Sequence, residues 1–256
     1  MAWGVAQAMV MDQSTHAACR VCLGGARPFM TVQGRRYWRC RRCRATQLDA
    51  RQLPDPGTER RHYLTHHNDP ADEGYRRFLA RLASPLLKVL DRASEGLDFG
   101  CGPGPALAAM LEAAGHRVRL HDPFFRPDPA ALERCYDFVT LTEVAEHLHR
   151  PHAVFRQLAG LIRPGGRLAV MTALGIDDRR FANWRYRRDP THVVFYRAAT
   201  FRYLASSLGL DCRRVAPDVV LLRKPGSGRS SPTAPVAAAS GARCPASTTE
   251  TARARA

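Results

Sequence analysis

The segment "LDFGCGPGPALAAM" at residues 97–110 constrains the fold more than any other part of the chain. A short apolar run ends in three alternate glycines, Gly100, Gly102 and Gly104, and an alanine-rich run follows. This order is typical of a strand, a tight turn and a helix, in which the turn lets a ligand approach the backbone closely. The segment therefore predicts a ligand site at the carboxyl end of a strand.

The spacing of the glycines narrows the class of ligand. A triphosphate loop requires GxxxxGK[ST], and this loop contains no lysine. A dinucleotide fingerprint requires a third glycine where the chain has Pro105, so the pattern is GxGxG instead. Two acidic residues accompany the loop: Asp98 lies two residues before Gly100, and Asp122 follows the next predicted strand. A carboxylate in the second position can accept both hydroxyls of a ribose.

Residues 60–224 carry alternating strand and helix patterns. We predict a first helix with Asp69 as N-cap and Pro70 at its first position. Further elements are predicted as strands near 96–99, 117–121, 137–142 and 167–172, helices near 105–114, 129–134, 151–162 and 198–208, and a final strand pair over about 212–223. The sequence "RPGG" at 163–166 predicts a turn. The fold class predicted is α/β and Rossmann-like, with a mostly parallel sheet, helices on both faces and an antiparallel C-terminal strand pair.

Four cysteines near the N-terminus predict a structural metal site. They form two CxxC pairs separated by 17 residues: Cys19, Cys22, Cys40 and Cys43. Four thiolates at this spacing can surround one zinc ion tetrahedrally. In a cytoplasmic chain, metal is favoured over two disulfides. Residues 18–50 are therefore predicted to form a small zinc ribbon, whose closed ligand set leaves no position for catalysis.

The two ends of the chain, its lack of long apolar runs and its charge argue against a secreted, a membrane-spanning or a nucleic-acid-binding protein. Residues 1–17 are interpreted as a disordered leader without a signal peptide, and residues 225–256, rich in Pro, Gly, Ser, Thr and Ala, as a disordered tail. No run of 18 apolar residues exists, so we expect no membrane span and a cytoplasmic location. The net charge of +16 comes almost wholly from arginine, since Lys88 and Lys224 are the only lysines, which favours compositional bias over a nucleic-acid partner.

Four ordered motifs within residues 95–210 resemble the class I S-adenosylmethionine-dependent methyltransferases: "LDFGCGPG", "RVRLHDPFF", "YDFVTLTEVAEHL" and "LIRPGGRLAVMT". The resemblance implies S-adenosylmethionine as the cofactor, with the glycine loop against its methionine and ribose parts. It also implies that Asp98 works near the methionine amino group and that Asp122 binds the ribose. The cofactor-binding residues expected on this basis are Asp98, Gly100, Cys101, Gly102, Gly104, Asp122, Phe124, Thr142 and Glu143.

One segment departs from the family pattern. Only 14 residues separate Asp122 from Asp137, where the family usually has a helix, a strand and a second helix. The strand that is missing here normally supplies an acidic residue for adenine. In its place, Phe124 or Phe125 is expected to contact the adenine ring, with core packing as the alternative.

The loop after the last parallel strand predicts the acceptor side. Residues 183–196 crowd polar and aromatic side chains together, among them Tyr186 and His192. His192 is the candidate general base, because the ordinary pKa of histidine lies near working pH; a structural hydrogen bond is the alternative. Tyr186 is the second candidate catalytic residue. His147 is expected to shape the cofactor site, and residues 62–78 to cover the pocket.

Three functions remain open from the sequence. The first is methylation of a small-molecule acceptor, with the zinc ribbon as a structural or substrate-covering module. The second is methylation of RNA of the ribosomal type, in which ribbon arginines contact phosphates: Arg35, Arg36, Arg39, Arg41, Arg42 and Arg44. The third is a non-enzymatic module that binds cofactor and zinc, which the complete set of glycines and acids disfavours.

Overall fold

A computed structural model describes residues 16–65, 68–175 and 177–226. Most of the predicted leader and tail, and His66 and His67, lie outside the described residues. The strands in chain order are β1 (Ala17–Ala18), β2 (Gly25–Val32), β3 (Arg35–Cys40), β4 (Thr46–Leu48), β5 (Glu95–Phe99), β6 (Arg117–His121), β7 (Tyr136–Thr142), β8 (Ile162–Met171), β9 (Val194–Phe195), β10 (Asp211–Ala216) and β11 (Val219–Arg223). The helices are α1 (Pro56–Tyr63), α2 (Glu73–Leu87), α3 (Ala106–Ala113), α4 (Pro151–Leu161), α5 (Asp178–Phe181) and α6 (Ala198–Leu208).

The larger sheet has six strands in the order β10-β11-β8-β7-β5-β6. The four strands from β8 to β6 are parallel, whereas β11 pairs antiparallel with both β8 and β10. Successive side chains of β8 point to opposite faces of the sheet, and each face is covered by a pair of helices. Leu168 and Val170 pack in the core with α4 and α6, and Ala169 and Met171 pack with α2 and α3. The predicted α/β fold, with helices on both faces and an antiparallel C-terminal strand pair, is confirmed.

Three local predictions are corrected by the structure. Helix α2 begins at Glu73, because Asp72 and not Asp69 accepts the backbone N–H groups of its first turn. The segment "RPGG" lies inside β8, which starts at Ile162 and shifts register against β7 before the regular pairing begins. Between β6 and β7 a 3-10 turn, Pro129–Glu133, takes the place of the short helix expected there.

The cysteine-rich segment forms a second sheet that reaches into the α/β fold. Its strand order is β1-β2-β3-β4-β9, and all four pairings are antiparallel. Strand β9 comes from the loop after β8, so the ribbon is hydrogen-bonded directly to the predicted acceptor loop. One continuous core contains Trp38 of the ribbon together with Phe155 of α4 and Phe201 of α6. The ribbon is therefore packed as part of the main body.

Candidate functional site

A cavity of about 1150 Å³ opens at the carboxyl ends of β5, β6, β7 and β8. Its walls come from the glycine loop, the turn after β6, the end of β7, helix α1 and the loop after β8. Parallel strands place their carboxyl ends at one edge of a sheet, which is where ligands bind in open α/β folds. The sequence-predicted cofactor and acceptor residues thus line a single space.

The glycine loop is closely packed at two positions. Gly100 has φ +77°, and a Cβ there would lie 2.5 Å from Cγ2 of Val144. At Gly104 a Cβ would lie 2.0 Å from the carbonyl oxygen of Asn68. Any side chain at either position would displace backbone or core. The segment after α1 therefore lies directly on the glycine loop.

Asp98 is buried at the end of β5 and accepts a hydrogen bond of 2.7 Å from Oγ1 of Thr140. Burial raises the pKa of Asp98 to about 6, with a further contribution from the charge of Asp122, whereas the Thr140 hydroxyl lowers it. A buried carboxylate of this kind is a suitable partner for a ligand cation, which would relieve the cost of burying its charge.

Asp122 follows β6 and ties two ligand-side loops together. Its Oδ2 accepts from the backbone N–H of Gly102 at 3.0 Å, and its Oδ1 accepts from those of Phe124 and Phe125 at 2.8 and 3.1 Å. Each carboxylate oxygen has two lone pairs, so capacity for further donors remains. The side chain is 6% exposed and lies in the cavity wall.

Cys101, Thr142 and Glu143 complete the predicted cofactor side. Burial raises the pKa of Cys101 to about 12, so the thiol is neutral. Oγ1 of Thr142 is buried and has no hydrogen-bond partner among the described residues. Glu143 adopts φ +52° and its pKa is raised to about 9 by burial and by Glu146. A non-glycine residue in the left-handed region is strained, which is common at functional sites.

Phe124 lies in the cavity wall beside an aromatic residue that the sequence did not single out. Its ring meets that of Tyr63 edge-on, with centroids 5.6 Å apart, and Tyr63 also meets His147 edge-on at 5.1 Å. Tyr63 is the last residue of α1. Since "PGTERRHY" carries no apolar periodicity, its helix was not predicted, although Asp55 before Pro56 is a recognisable N-cap.

His192 reaches the cavity from the loop after β8. Its Nδ1 lies 2.7 Å from the carbonyl oxygen of Tyr186, which can only accept, so Nδ1 carries the proton and Nε2 keeps its lone pair. Burial lowers the pKa of His192, which favours the neutral ring. Asp189 lies 3.8 Å from Nε2 and also contacts Nε2 of His62 at 3.0 Å.

Tyr186 packs on His192, with ring centroids 4.1 Å apart. Its hydroxyl is 3.0 Å from Oγ1 of Thr172 and accepts from the backbone N–H of Ala173 at 3.3 Å. Burial raises the pKa of Tyr186 well above its ordinary value. The hydroxyl is thus neutral and engaged at the end of β8.

Glu146 and His147 join His192 in a cluster that the sequence reasoning missed. Glu146 is fully buried, and its Oε2 accepts from Oγ1 of Thr172 at 2.9 Å. The run of Glu143, Glu146 and His147 was visible in "TEVAEHL". Its relation to His192 was not visible, because the two segments are 45 residues apart and meet only in the folded chain.

The four N-terminal cysteines converge in the ribbon. Sγ of Cys19 lies 3.6 Å from that of Cys43, and Sγ of Cys22 lies 3.4 Å from that of Cys40; all four are buried and free of disulfides. Tetrahedral zinc with Zn–S bonds of about 2.3 Å separates its sulfurs by about 3.8 Å, close to these values.

The two CxxC segments have the same local geometry. In each, the residue after the second cysteine donates its N–H to the carbonyl oxygen of the first, and it lies in the left-handed region: Leu23 with φ 60° and Arg44 with φ 66°. The backbone is thus built as two equivalent knuckles, which is the arrangement a single ion between them requires.

Hydrogen bonds join the ribbon to the predicted acceptor loop. Arg35 donates to the carbonyl oxygens of Asp189 and Pro190 at 3.1 and 3.0 Å. Arg187, which is 2% exposed, donates at 3.4 Å to the hydroxyl of Tyr37. The backbone N–H of Leu48 donates to Val193 at 2.9 Å, next to His192. The loop is therefore fixed from the ribbon side.

Comparison with known proteins identifies the family. The sequence model of a family described as "Methyltransferase domain" matches residues 66–215. The match covers more than half of the chain, and the chain therefore belongs to this methyltransferase family. The resemblance to S-adenosylmethionine-dependent methyltransferases is confirmed, and the protein is an enzyme of that class.

Several solved structures show similarity to this chain. The 1,6-didemethyltoxoflavin-N1-methyltransferase of Burkholderia thailandensis shares 17% identity over 77% of this chain and 99% of that chain, with a TM-score of 0.49. An O-methyltransferase family protein from the same organism shares 20% over 62% of each chain, with a TM-score of 0.43. An O-methyltransferase family 2 protein of Planctomyces limnophilus shares 15% over 59% of each chain, with a TM-score of 0.41.

This chain spans 62% of the length of the first O-methyltransferase family protein. At these identities and TM-scores the similarities bear on neither substrate nor mechanism. No curated protein matches the chain. Within the described ranges, none of the helices has the length and apolar character that crossing a membrane requires.

Proposed function

We propose that this methyltransferase transfers the methyl group of S-adenosylmethionine to a small-molecule acceptor held by the loop at 183–196. The observation that carries the proposal is one cavity with two unlike sides. The glycine loop with Asp98 and Asp122 lines one side, and His192 lines the other. Methyl transfer from a sulfonium needs an acceptor aligned with the methyl group, which a cavity shared by cofactor and acceptor provides.

On the cofactor side, Asp98 would pair with the methionine ammonium and Asp122 would accept the ribose hydroxyls. Gly100, Cys101, Gly102 and Gly104 would present backbone to the cofactor, and Thr142 and Glu143 would close its methionine end. The unpartnered hydroxyl of Thr142 supports this role, since a buried hydroxyl without a partner is costly unless a ligand satisfies it. Phe124, with Tyr63 beside it, would cover the adenine ring.

On the acceptor side, His192 would offer the lone pair of Nε2 to the acceptor proton. Its lowered pKa supports this role, because a base must be neutral before it acts. Tyr186 would position His192, since its ring packs on that histidine and its hydroxyl is already hydrogen-bonded to Thr172 and Ala173.

Ribbon arginines that bond within the molecule favour a small acceptor over RNA, because they are not free to contact phosphates. Arg35 donates to backbone carbonyl oxygens of the acceptor loop, and Arg39 pairs with Asp178 at 2.9 Å. Arg41 and Arg42 are exposed. If RNA is the acceptor, alanine at Arg41 and Arg42 should weaken its binding and flatten the salt dependence.

The cysteine cluster is proposed to hold one structural zinc ion through Cys19, Cys22, Cys40 and Cys43. The sulfur distances and the paired knuckles support one ion. A reducing cytoplasm, the location proposed here, keeps such thiols available for metal. Metal analysis of gently purified protein should give one zinc per chain from this cluster, and its absence would refute the assignment.

Calorimetry with S-adenosylhomocysteine tests the cofactor side. Asp122→Ala should weaken binding by about 1–3 kcal/mol, because hydrogen bonds to the ligand are lost and the two tied loops loosen. Asp211→Ala, an exposed aspartate on β10, is the matched control and should bind as the native chain does. Equal affinity in the Asp122 variant would remove this residue from the site, and preferential binding of NAD would overturn the proposal.

Transfer of a tritiated methyl group tests the acceptor side. The enzyme should label a fraction of a small-molecule metabolite extract and not total RNA. His192→Ala should reduce turnover while the affinity for S-adenosylhomocysteine stays nearly unchanged, since the lost interaction belongs to the transition state. Labelling of RNA alone would favour the other acceptor class, and full turnover in His192→Ala would exclude a role for this residue.

A further inference from the structure

Three potential ligand atoms converge at the acceptor side of the cavity. Oε1 of Glu146 lies 3.9 Å from Nε2 of His147 and 4.0 Å from Nε2 of His192. The ligand atoms of these three residues all lie within 4.8 Å of one another. A metal with bonds of about 2.1 Å separates its ligands by about 3.4 Å in tetrahedral geometry, so closure needs shifts of up to about 0.7 Å per side chain.

Both imidazole rings are oriented for metal binding. Nδ1 of His147 lies 3.1 Å from the carbonyl oxygen of Thr191, and Nδ1 of His192 lies 2.7 Å from that of Tyr186. A carbonyl oxygen only accepts, so each Nδ1 carries the proton and each Nε2 presents a lone pair. Metal-binding histidines are commonly fixed in this way by a backbone carbonyl behind the ring.

One of the two carboxylate oxygens of Glu146, Oε1, is left unpaired in this arrangement. Its side chain is fully buried, and Oε1 has no hydrogen-bond partner among the described residues. The separations to the two Nε2 atoms are too long for a shared proton. A buried carboxylate oxygen that faces two lone pairs is costly unless a cation lies between them.

We propose that Glu146, His147 and His192 bind one divalent first-row transition-metal ion, and that this ion coordinates a hydroxyl oxygen of the acceptor. Two imidazoles and one carboxylate suit such ions. His147 and His192 line the cavity, so open coordination positions face the space where the acceptor would lie. The inference rests on the proposed function and narrows the acceptor to an alcohol, diol or phenol.

Methyl transfer to the coordinated oxygen conserves charge. The coordinated hydroxyl releases its proton to solvent and becomes an alkoxide or phenolate, which a bound divalent ion stabilises. The oxygen then attacks the methyl carbon, the carbon–sulfur bond breaks, and its electron pair converts the sulfonium into the neutral thioether. His192 would then act as a metal ligand and not as the base. The loss of turnover in His192→Ala follows from either role, so a binding measurement is needed.

Mn²⁺ is the probe, because it avoids the thiolates of the ribbon. Zinc-loaded full-length protein with S-adenosylhomocysteine bound is titrated with MnCl₂, and free Mn²⁺ is followed by its electron paramagnetic resonance signal. We expect one ion per chain in the native protein. Glu146→Gln and His147→Ala should each weaken binding about tenfold or more. His152→Ala, a histidine of α4 outside the cluster, should bind Mn²⁺ as the native protein does.

Retained S-adenosylhomocysteine binding shows that each variant is folded, and His147→Ala provides a second test if Glu146→Gln does not fold. Absence of Mn²⁺ binding in native protein that still binds S-adenosylhomocysteine would overturn the metal site and leave the proposed function standing. Equal Mn²⁺ affinity in the native protein and both cluster variants would also overturn it. Failure to bind S-adenosylhomocysteine would instead count against the proposed function.

Discussion

Asp98 is a buried carboxyl whose ionisation makes the stability of the fold depend on pH. Its pKa in the folded protein, about 6, is higher than the ordinary value of 3.8, mainly because of burial. The folded chain therefore holds this proton more tightly than the unfolded chain does. As the pH rises from about 4 to about 6, this group alone lowers the free energy of unfolding, and above that range the cost stays constant.

Replacing Asp98 by Asn should separate the two effects. Asn keeps an oxygen for the Thr140 hydroxyl and removes the buried charge, so at pH 7.5 the ligand-free protein should gain about 1–3 kcal/mol in stability. Binding of S-adenosylhomocysteine should weaken if Asp98 pairs with its ammonium as proposed, because that charged partner is then lost. Thermal denaturation from pH 4 to 8 and calorimetry measure both, with Asp211→Asn as an exposed control. A variant with unchanged stability and unchanged pH dependence would contradict this account.

A substitution at Gly104 should affect both the stability of the protein and its binding of S-adenosylhomocysteine. A Cβ 2.0 Å from the carbonyl oxygen of Asn68 forces the backbone apart, so Gly104→Ala should cost about 1–3 kcal/mol and weaken S-adenosylhomocysteine binding. Gly25→Ala is the matched control, since a Cβ there meets nothing within 4 Å. Melting temperatures and titrations compare the two variants. Equal behaviour would mean that the segment after α1 does not rest on the glycine loop in solution.

At the scale of elements, the ribbon positions the loop that carries His192. Strand β4 pairs with β9, and Arg35 and Leu48 bond to the backbone on either side of His192. If the cysteine cluster binds zinc as proposed, that ion would fix the two knuckles and, through them, the strands that hold this geometry. Zinc would thus act on catalysis indirectly, by fixing the acceptor loop.

Cys40→Ser should therefore lose zinc and loosen residues 183–196. We expect faster proteolysis in that loop and a loss of methyl transfer to the labelled acceptor fraction. The affinity for S-adenosylhomocysteine should fall far less, because the glycine loop belongs to β5 and α3 on the other side of the cavity. Cys212→Ser changes a cysteine outside the cluster and should be active. Normal turnover in a zinc-free variant would show that the loop does not need the ribbon.

The elements also show what the sequence could predict. Strand β5, the glycine loop and α3 were predicted closely, because apolar runs and glycine spacing are local signals. Helix α1 was missed since its sequence is polar, and β9 was missed since two residues carry no periodicity. The relation of Glu146 to His192 depends on the fold bringing β7 and the acceptor loop together, so no local pattern contains it.

At the scale of the whole molecule, the ribbon and the α/β fold share one core. Trp38, Phe155 and Phe201 belong to the same buried cluster, and Tyr37 meets Phe181 and Phe195 edge-on. Contacts of this kind couple the unfolding of the two parts, because neither can open without exposing apolar surface of the other.

The zinc-loaded protein should therefore unfold in one cooperative transition. Differential scanning calorimetry should give equal calorimetric and van't Hoff enthalpies, and near-ultraviolet circular dichroism should follow the same curve. Added S-adenosylhomocysteine should move the whole transition to higher temperature by mass action. Two resolved transitions, of which only one responds to the ligand, would show that the ribbon is energetically separate.

The short connection between β6 and β7 leaves β6 as the outermost strand of its sheet. An outermost strand presents free backbone groups to which a second chain can add, the usual first step towards fibrous aggregates. This strand carries Arg117 and Arg119, paired with Glu95 and Asp128, and the 3-10 turn at Pro129–Glu133 packs beside it. Charged side chains along an outermost strand, and a turn packed beside it, both hinder the pairing of a second chain. The chain thus tolerates a β6–β7 connection too short for the usual adenine-side strand. The strand that this leaves outermost, β6, is protected against self-association.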